Sequence, residues 1–292
     1  MKQDAGKVEI VTGLAGLAER YDVLLCDVWG VLHNGLALFP EASDALARFR
    51  AQGGTVILIT NAPRPNSYVH AMLSGMGMQD NACNAIVSSG DITRNEIAIR
   101  NGQPVYHLGP ERDLPVFAGF DAPLSSQEKA SYIVCTGLFH DDHETPADYD
   151  ASLTAMAERG LTMVCANPDL VVERGDKLLY CAGALATLYE TKGGKAIYAG
   201  KPHRPVYEHA LKLAAEIRQE SIDKSRVLGL GDAIRTDIAG AAGAELDSVL
   251  ITRGIHAEDL HTATGALNTD AVETWLEQQI VQPTLVMERL SW

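Results

Sequence analysis

Short apolar runs alternate along this chain with stretches whose apolar residues recur every three or four positions. Val8–Arg20, which contains GLAGLAER, reads as a short leading helix. Val23, Leu24, Leu25 and Cys26 then form a run too short for a helix and bounded by polar residues, the pattern of a buried strand. In Glu41–Arg50 the apolar residues Ala42, Ala45, Leu46 and Phe49 keep a helical spacing, which Gly53 and Gly54 end. The same alternation gives a strand over Val56–Asn61, a helix from Asn66 to Met76, a strand at Ala85–Val87 and a helix over Asp91–Arg100. Strict strand–helix alternation implies an α/β fold with a parallel sheet and crossover helices.

From Gln103 the pattern starts again. Strands are expected at Val105–Leu108, Tyr132–Thr136 and Leu161–Ala166, with helices at Glu111–Ala118 and Ala147–Arg159. Asn167, Pro168 and Asp169 stand at the tip of the third of these strands. Leu170–Leu179 reads as a hairpin around Gly175, and Ala182–Tyr189 as a closing helix. The first pattern resumes with a strand at Ala196, a helix over Pro205–Ile217 and a strand running into Gly231. A helix from Thr236, a strand at Ser248–Thr252 and a helix at Asp270–Gln279 follow. The tail Pro283–Trp292 has no clear period; its Leu285, Val286, Met287, Leu290 and Trp292 are expected to pack on the core or on a second subunit.

The 292 residues, 46% apolar and 21% charged, suit one large or two modest globular domains. A formal net charge of -14 argues against a nucleic-acid partner, which would need clustered Lys and Arg, but leaves room for a small anion bound through a metal ion. The five cysteines are odd in number and form no CxxC pair, so they read as core thiols in a reducing compartment. No apolar stretch suits a signal peptide or a membrane span, and a cytoplasmic location is the expectation.

The chemistry concentrates where apolar runs end. Asp27 follows the first run, Thr60 and Asn61 end the second, Lys201 follows AIYAG, and VLGLG leads into Asp232, Thr236 and Asp237. Taken singly, such residues are more often helix caps or turn formers. If the strands are parallel, however, all of them arrive at the carboxyl edge of the sheet, where α/β proteins bind ligands. Other clusters carry less. His140, Asp141, Asp142 and His143 crowd one loop, Gly229 and Gly231 match only part of a dinucleotide fingerprint, and Gly193, Gly194 and Lys195 lack P-loop spacing.

These four segments, in this order, resemble the motifs of the haloacid dehalogenase superfamily of phosphotransferases over nearly the whole chain, most specifically in GDxxxTDIxGA. The sequence ANPD at Ala166–Asp169 and the long insertion look like the type IIA, or NagD-like, branch. The resemblance implies a doubly wound parallel-sheet core over residues 1–102 and 195–292, with an inserted α/β C2-type cap over residues 103–194. It implies an Mg²⁺-dependent hydrolase of a small phosphorylated metabolite, such as a sugar phosphate or nucleotide, and is compatible with a homodimer. Asp27 would be the nucleophile, forming an aspartyl-phosphate, with Thr60 and Lys201 on the phosphate and Asn61 as a further amide donor. Mg²⁺ would be held by Asp27, Asp232 and the backbone carbonyl of Trp29, with Asp237 behind them. Asn167, Asp169 and the Gly183–Ala184 turn are expected to contact substrate, and Arg64 or the Arg253–His256 loop would suit a second anionic group.

One position departs from the family pattern. Where DxDG has its second acid this chain has Trp29. That acid protonates the leaving alkoxide, a contribution of roughly 10²- to 10⁴-fold. His33 or a cap acid would replace it, the leaving group would need no proton, or turnover would be slow. A phosphometabolite-binding protein, or hydrolysis of a carbon–phosphorus or carbon–halogen bond, are the alternative readings.

Overall fold

The computed structural model describes residues 8–174 and 177–292, so the expected hairpin turn at Gly175 and the residues before Val8 lie outside it. In chain order the strands are β1 (Glu9–Val11), β2 (Val23–Cys26), β3 (Thr55–Thr60), β4 (Ala85–Ser88), β5 (Val105–Leu108), β6 (Tyr132–Cys135) and β7 (Thr162–Cys165). They continue as β8 (Val171–Arg174), β9 (Lys177–Tyr180), β10 (Lys195–Tyr198), β11 (Val227–Gly231), β12 (Asp247–Ile251) and β13 (Leu285–Met287). Among the described residues they form a sheet in the order β1-β13-β12-β11-β2-β3-β4, a second in the order β10-β7-β6-β5, and an antiparallel ribbon of β8 and β9. The α/β expectation therefore holds. No helix among the described residues is long and apolar enough to cross a membrane.

The chain forms two compact units. The first comprises the residues up to Ile59, Met72–Ile86 and Tyr207–Trp292. At its centre β2 lies parallel to β11 and β3, with Cys26 opposite both Leu230 and Leu58. Every residue of β2, β3 and β11 is buried, which is why these strands read as unbroken apolar runs rather than alternating ones. Gly229 lets the helix Ala239–Gly243 lie close, since a Cβ there would come within 3.1 Å of the Ala241 methyl.

One expectation about the chain ends gives way here and the other is met, since Leu285, Val286, Met287 and Leu290 of the tail are buried in the core. Val8–Arg20 forms no regular helix: Glu9–Val11 is a strand, and beyond it Leu14 and Leu17 are buried within irregular turns. The tail supplies β13, which lies parallel to β1 and to β12. Each terminal strand is three residues long, too short to show a period, and acquires its conformation from the ladder it completes. The helix expected from Thr236 opens with a wide turn in which the Ile238 N–H reaches the carbonyl of Ala233, five residues back, at 3.3 Å.

The second unit comprises Thr60–Ala71 and Val87–Val206. Its sheet is parallel throughout. Tyr132 and Val134 of β6 pack on one face with Ile97, Val116 and Phe117, whereas Ile133 and Cys135 pack on the other with Leu153, Met156, Leu185 and Tyr189. Each fully buried side chain of this size contributes roughly 1.5–3 kcal/mol. Cys26, Cys135, Cys165 and Cys181 fit the core-thiol reading while Cys83 is only half-buried, and burial pushes the Cys135 thiol up to about 12. The segment Glu111–Phe117 is a tight 3₁₀ coil rather than an α-helix, because Pro115 lacks the N–H an α-helix would use. One strand changes sheet. The run beginning near Ala196, expected to reopen the first sheet, pairs instead with β7, from Lys195 opposite Thr162 to Tyr198 opposite Cys165. An apolar run does not say which sheet it will complete.

Candidate active site

In the first unit, three carboxylates meet at the carboxyl edge of the sheet. Asp27 is the residue after β2, and its N–H donates to the Leu230 carbonyl of β11 at 2.8 Å. Asp232 is the residue after β11, and Asp237 lies on the wide turn that follows. One oxygen from each lies within 4.8 Å of the other two, and all three residues are buried.

Backbone fixes two of these groups. The Ile255 N–H donates to Oδ2 of Asp232 at 2.8 Å. Glycines on two loops make room for that carboxylate, since a Cβ at Gly30 or at Gly254 would sit 2.0 Å from the same oxygen. Gly30 also has φ +83°, a conformation that glycine adopts without steric cost. The Ala233 N–H donates to Oδ2 of Asp237 at 3.1 Å, and a Cβ at Gly231 would come within 2.1 Å of that carboxyl carbon. Three buried carboxylates this close repel one another unless a cation joins them, and hard oxygen donors on separate turns suit Mg²⁺. Among the described residues this trio is the grouping of potential ligands fit for a metal; the His140–His143 loop offers only an exposed contact between His143 and Asp142.

Trp29 belongs to a closed loop in which the Gly30 N–H donates to the His33 carbonyl at 2.8 Å. Its ring meets the His33 ring edge to face, centroids 4.9 Å apart. His33 is wholly buried, and its Nδ1 accepts the Gly35 N–H at 2.8 Å. The ring proton therefore sits on Nε2, which is buried without a hydrogen-bond partner. Burial pushes the pKa of His33 down to about 4. A neutral ring whose only N–H points into the core does not replace the missing acid, so that expectation for His33 is set aside.

In the second unit the residues around Asn61 form a fully bonded knot. The Asn61 carbonyl oxygen accepts the Lys201 N–H at 2.8 Å and the Ser89 hydroxyl at 3.2 Å. Its amide donates to Asp169 at 2.9 Å and to the Lys201 carbonyl at 3.2 Å. With all four bonds made, Asn61 ties the Lys201 and Asp169 segments together and has no amide hydrogen left for a ligand. Gly200 is required beside it, because a Cβ there would fall 2.3 Å from the Asn61 oxygen. Lys201 is buried. The Thr60 hydroxyl accepts the Ala62 N–H at 3.2 Å, and the Asn167 side chain accepts the Asp169 N–H at 3.1 Å, a local turn that presents ANPD. Gly183 packs against the Pro168 carbonyl, which a Cβ would approach to 2.2 Å.

The two expected anion readers behave differently. Arg253 is committed within the first unit to Glu288 at 3.0 Å and to the Gly265 carbonyl, and its neighbours Gly254 and Ile255 serve Asp232. Arg64, in the second unit, has its Nε 3.5 Å from Asp113 and keeps its side chain about one-third exposed. Asp113 was not singled out by the sequence, and neither were Thr136 and His107. Burial raises the Asp113 carboxyl to about 6, against the lowering pull of Arg64 and Arg112. The Thr136 hydroxyl also draws the Asp113 pKa down, and it lies 2.9 Å from Nε2 of His107. The signal was available: Gly109 and Thr136 follow apolar strands, just as Asp27 does.

Comparison with known proteins agrees with this architecture. A model of haloacid dehalogenase-like hydrolases matches residues 24–122, and a model described as HAD-hydrolase-like matches residues 198–291. The crystal structure of a haloacid dehalogenase-like hydrolase from Brucella suis 1330 is 44% identical, covers 96% of this chain and 100% of its own, and superposes with a TM-score of 0.86. The chain belongs to the haloacid dehalogenase-like hydrolases. This hydrolase also shares its fold with a possible sugar phosphatase from Cytophaga hutchinsonii, which is 22% identical with a TM-score of 0.79 over 97% of this chain and 98% of the other. An acid sugar phosphatase from Staphylococcus saprophyticus is 22% identical to it over 82% of this chain and 90% of its own length.

Proposed function

We propose that this hydrolase is an Mg²⁺-dependent phosphatase that cleaves a small phosphomonoester, such as a sugar phosphate or nucleotide, through an aspartyl-phosphate at Asp27. The buried trio of Asp27, Asp232 and Asp237 carries this reading. The names of the Staphylococcus and Cytophaga proteins support the phosphate ester. Asp27, Asp232 and the Trp29 carbonyl would hold Mg²⁺, with Asp237 at one remove; the ion supplies charge neutralisation as two anions approach each other.

In the first step an oxygen of Asp27 attacks phosphorus and the bond to the alkoxide breaks. The Thr60 hydroxyl donates to a phosphoryl oxygen, and the Lys201 ammonium pairs with Asp27 and the phosphate. Asn61 holds Lys201 in register through its backbone. In the second step water attacks the aspartyl-phosphate, releasing phosphate and restoring Asp27. Residues 103–194, whose sheet Lys195–Tyr198 completes, form the cap, residues 1–102 and the rest of 195–292 form the core, and Asn167 and Asp169 contact the substrate. Trp29 offers no proton to the departing alkoxide and His33 does not supply one. Turnover therefore depends on the acidity of the leaving group.

Phosphate release from esters graded in leaving-group pKa, with and without Mg²⁺, tests this. Mg²⁺-dependent release that falls steeply as the leaving-group pKa rises supports the reading. Equal turnover of aryl and alkyl phosphates would show that another acid replaces the one lost at Trp29.

A further inference from the structure

We propose that Arg64, held from behind by the buried carboxylate of Asp113, reads a second oxyanion on the substrate, so that the preferred esters carry a carboxylate or another phosphate besides the one removed. This rests on the phosphatase reading above and narrows its substrate class.

Arg64 is placed as a reader. Gly90 lies flat against its backbone, and a Cβ at that position would come within 2.4 Å of the Arg64 carbonyl, so the segment bearing the guanidinium is pinned. Asp113 takes the Nε side of the guanidinium, and the side chain remains about one-third exposed. Nη1 and Nη2 have no partner among the described residues, which leaves a two-nitrogen fork for an incoming oxyanion. Arg112 and Arg94 of this unit are committed. Arg112 pairs with Asp141, and Arg94 donates to the carbonyls of Val116 and Ala118.

Asp113 is itself supported from within the fold. The Thr136 hydroxyl helps to hold its pKa down, and Nε2 of His107, a ring kept neutral by burial that lowers its pKa to about 4, lies 2.9 Å from the Thr136 oxygen. A Cβ at Gly109 would sit 2.0 Å from that same hydroxyl. The chain His107–Thr136–Asp113 thus sets the direction of Arg64 without touching a ligand. Asp113 is a positioning residue. A carboxylate buried this deeply costs stability unless it serves a partner, and the guanidinium it faces at 3.5 Å is that of Arg64.

The test uses pairs of esters that differ only in the second anion: phosphoglycolate against 2-hydroxyethyl phosphate, 3-phosphoglycerate against glycerol 3-phosphate, and fructose 1,6-bisphosphate against fructose 6-phosphate. The first two pairs probe a carboxylate, the third a phosphate. We expect the wild type to favour the anionic member of at least one pair by roughly 10- to 100-fold in kcat/KM, mostly through KM. Arg64→Gln collapses that ratio, Asp113→Asn lowers it several-fold, and Asp113→Glu partly restores it. Calorimetry of the same ligands with the Asp27→Asn protein reads the preference as affinity without turnover. If no ester is hydrolysed but the binding preference persists and depends on Arg64, the phosphatase reading fails while this inference stands. Equal binding of both members of every pair, or a preference indifferent to Arg64→Gln, overturns the inference whether or not the esters are turned over.

Discussion

Both parallel sheets gather polar residues at their carboxyl edge, but they hold them by different means. In the first unit the main chain does the holding: Asp232 and Asp237 each accept a backbone N–H, and glycines clear the space around them. In the second unit side chains hold side chains, Asn61 knotting Ser89, Asp169 and the Lys201 backbone, and Asp113 setting Arg64. A backbone-held group depends little on which side chains surround it, whereas a side-chain relay can be retuned by a single substitution. The first arrangement suits chemistry common to every substrate. The relay behind Arg64 suits the choice among substrates. Substitutions around Asp232 and around Asp113 should therefore fail in different ways.

The largest effect is expected at Asp27. Asp27→Asn should lower Mg²⁺-dependent phosphate release by at least roughly 10³-fold for every ester alike, because the nucleophile is gone. Next come the glycines around Asp232. Gly254→Ala should push that carboxylate aside and weaken Mg²⁺ roughly 10- to 100-fold, read by titrating the ion into folded protein whose melting curve is checked in parallel. Gly109→Ala should act on selectivity instead, displacing the Thr136 hydroxyl and lowering the preference for doubly anionic esters several-fold. If it lowers turnover of all esters equally, the contrast between the two edges fails.

A smaller effect concerns pH. The Asp113 carboxyl is raised to about 6 by burial, while Arg64, Arg112 and the Thr136 hydroxyl pull it down and the Asp141 carboxylate pushes it up. As pH rises through that value Asp113 becomes charged and draws on Arg64, so the ratio of kcat/KM for charged over neutral partners should climb and then level off. Asp113→Asn should flatten the climb. Stability follows the same group with a definite sign. Its folded pKa lies above the ordinary 3.8, so the folded state binds the proton more tightly and stability from this residue is lost as pH rises from about 4 to about 6. Asp113→Asn should be spared that loss, as melting curves across the window will show. The smallest change is expected at His33. Since it is neutral and buried, His33→Asn should lower the melting temperature while leaving the shape of the pH–rate profile unchanged.

Much of this was legible in the sequence because burial on both faces writes a strand as an unbroken apolar run, and β2, β3 and β11 are of that kind. Their ends then name Asp27, Thr60 and Asp232 directly. The parts that could not be read depend on partners distant in sequence. Glu9–Val11 and Leu285–Met287 become strands through each other, and Lys195–Tyr198 joins β7 rather than the first sheet. Asp113 stayed hidden for a related reason. It lies in a proline-bearing coil with no period, and its importance comes from Arg64, 49 residues earlier, and from Thr136, 23 residues later. Arg253 shows the converse: its sequence position suggested a ligand, and its side chain is spent on Glu288 and Gly265.

The proposed reaction turns on a covalent bond between phosphorus and Asp27. The most direct measurement is to quench the protein with acid during turnover of a ³²P-labelled ester in Mg²⁺ and to map the label by peptide mass spectrometry. Acid-stable, hydroxylamine-labile label is expected on the peptide containing Asp27, absent from Asp27→Asn and absent without the ion. Phosphate release that proceeds with no label on Asp27, or label carried by another residue, would contradict it.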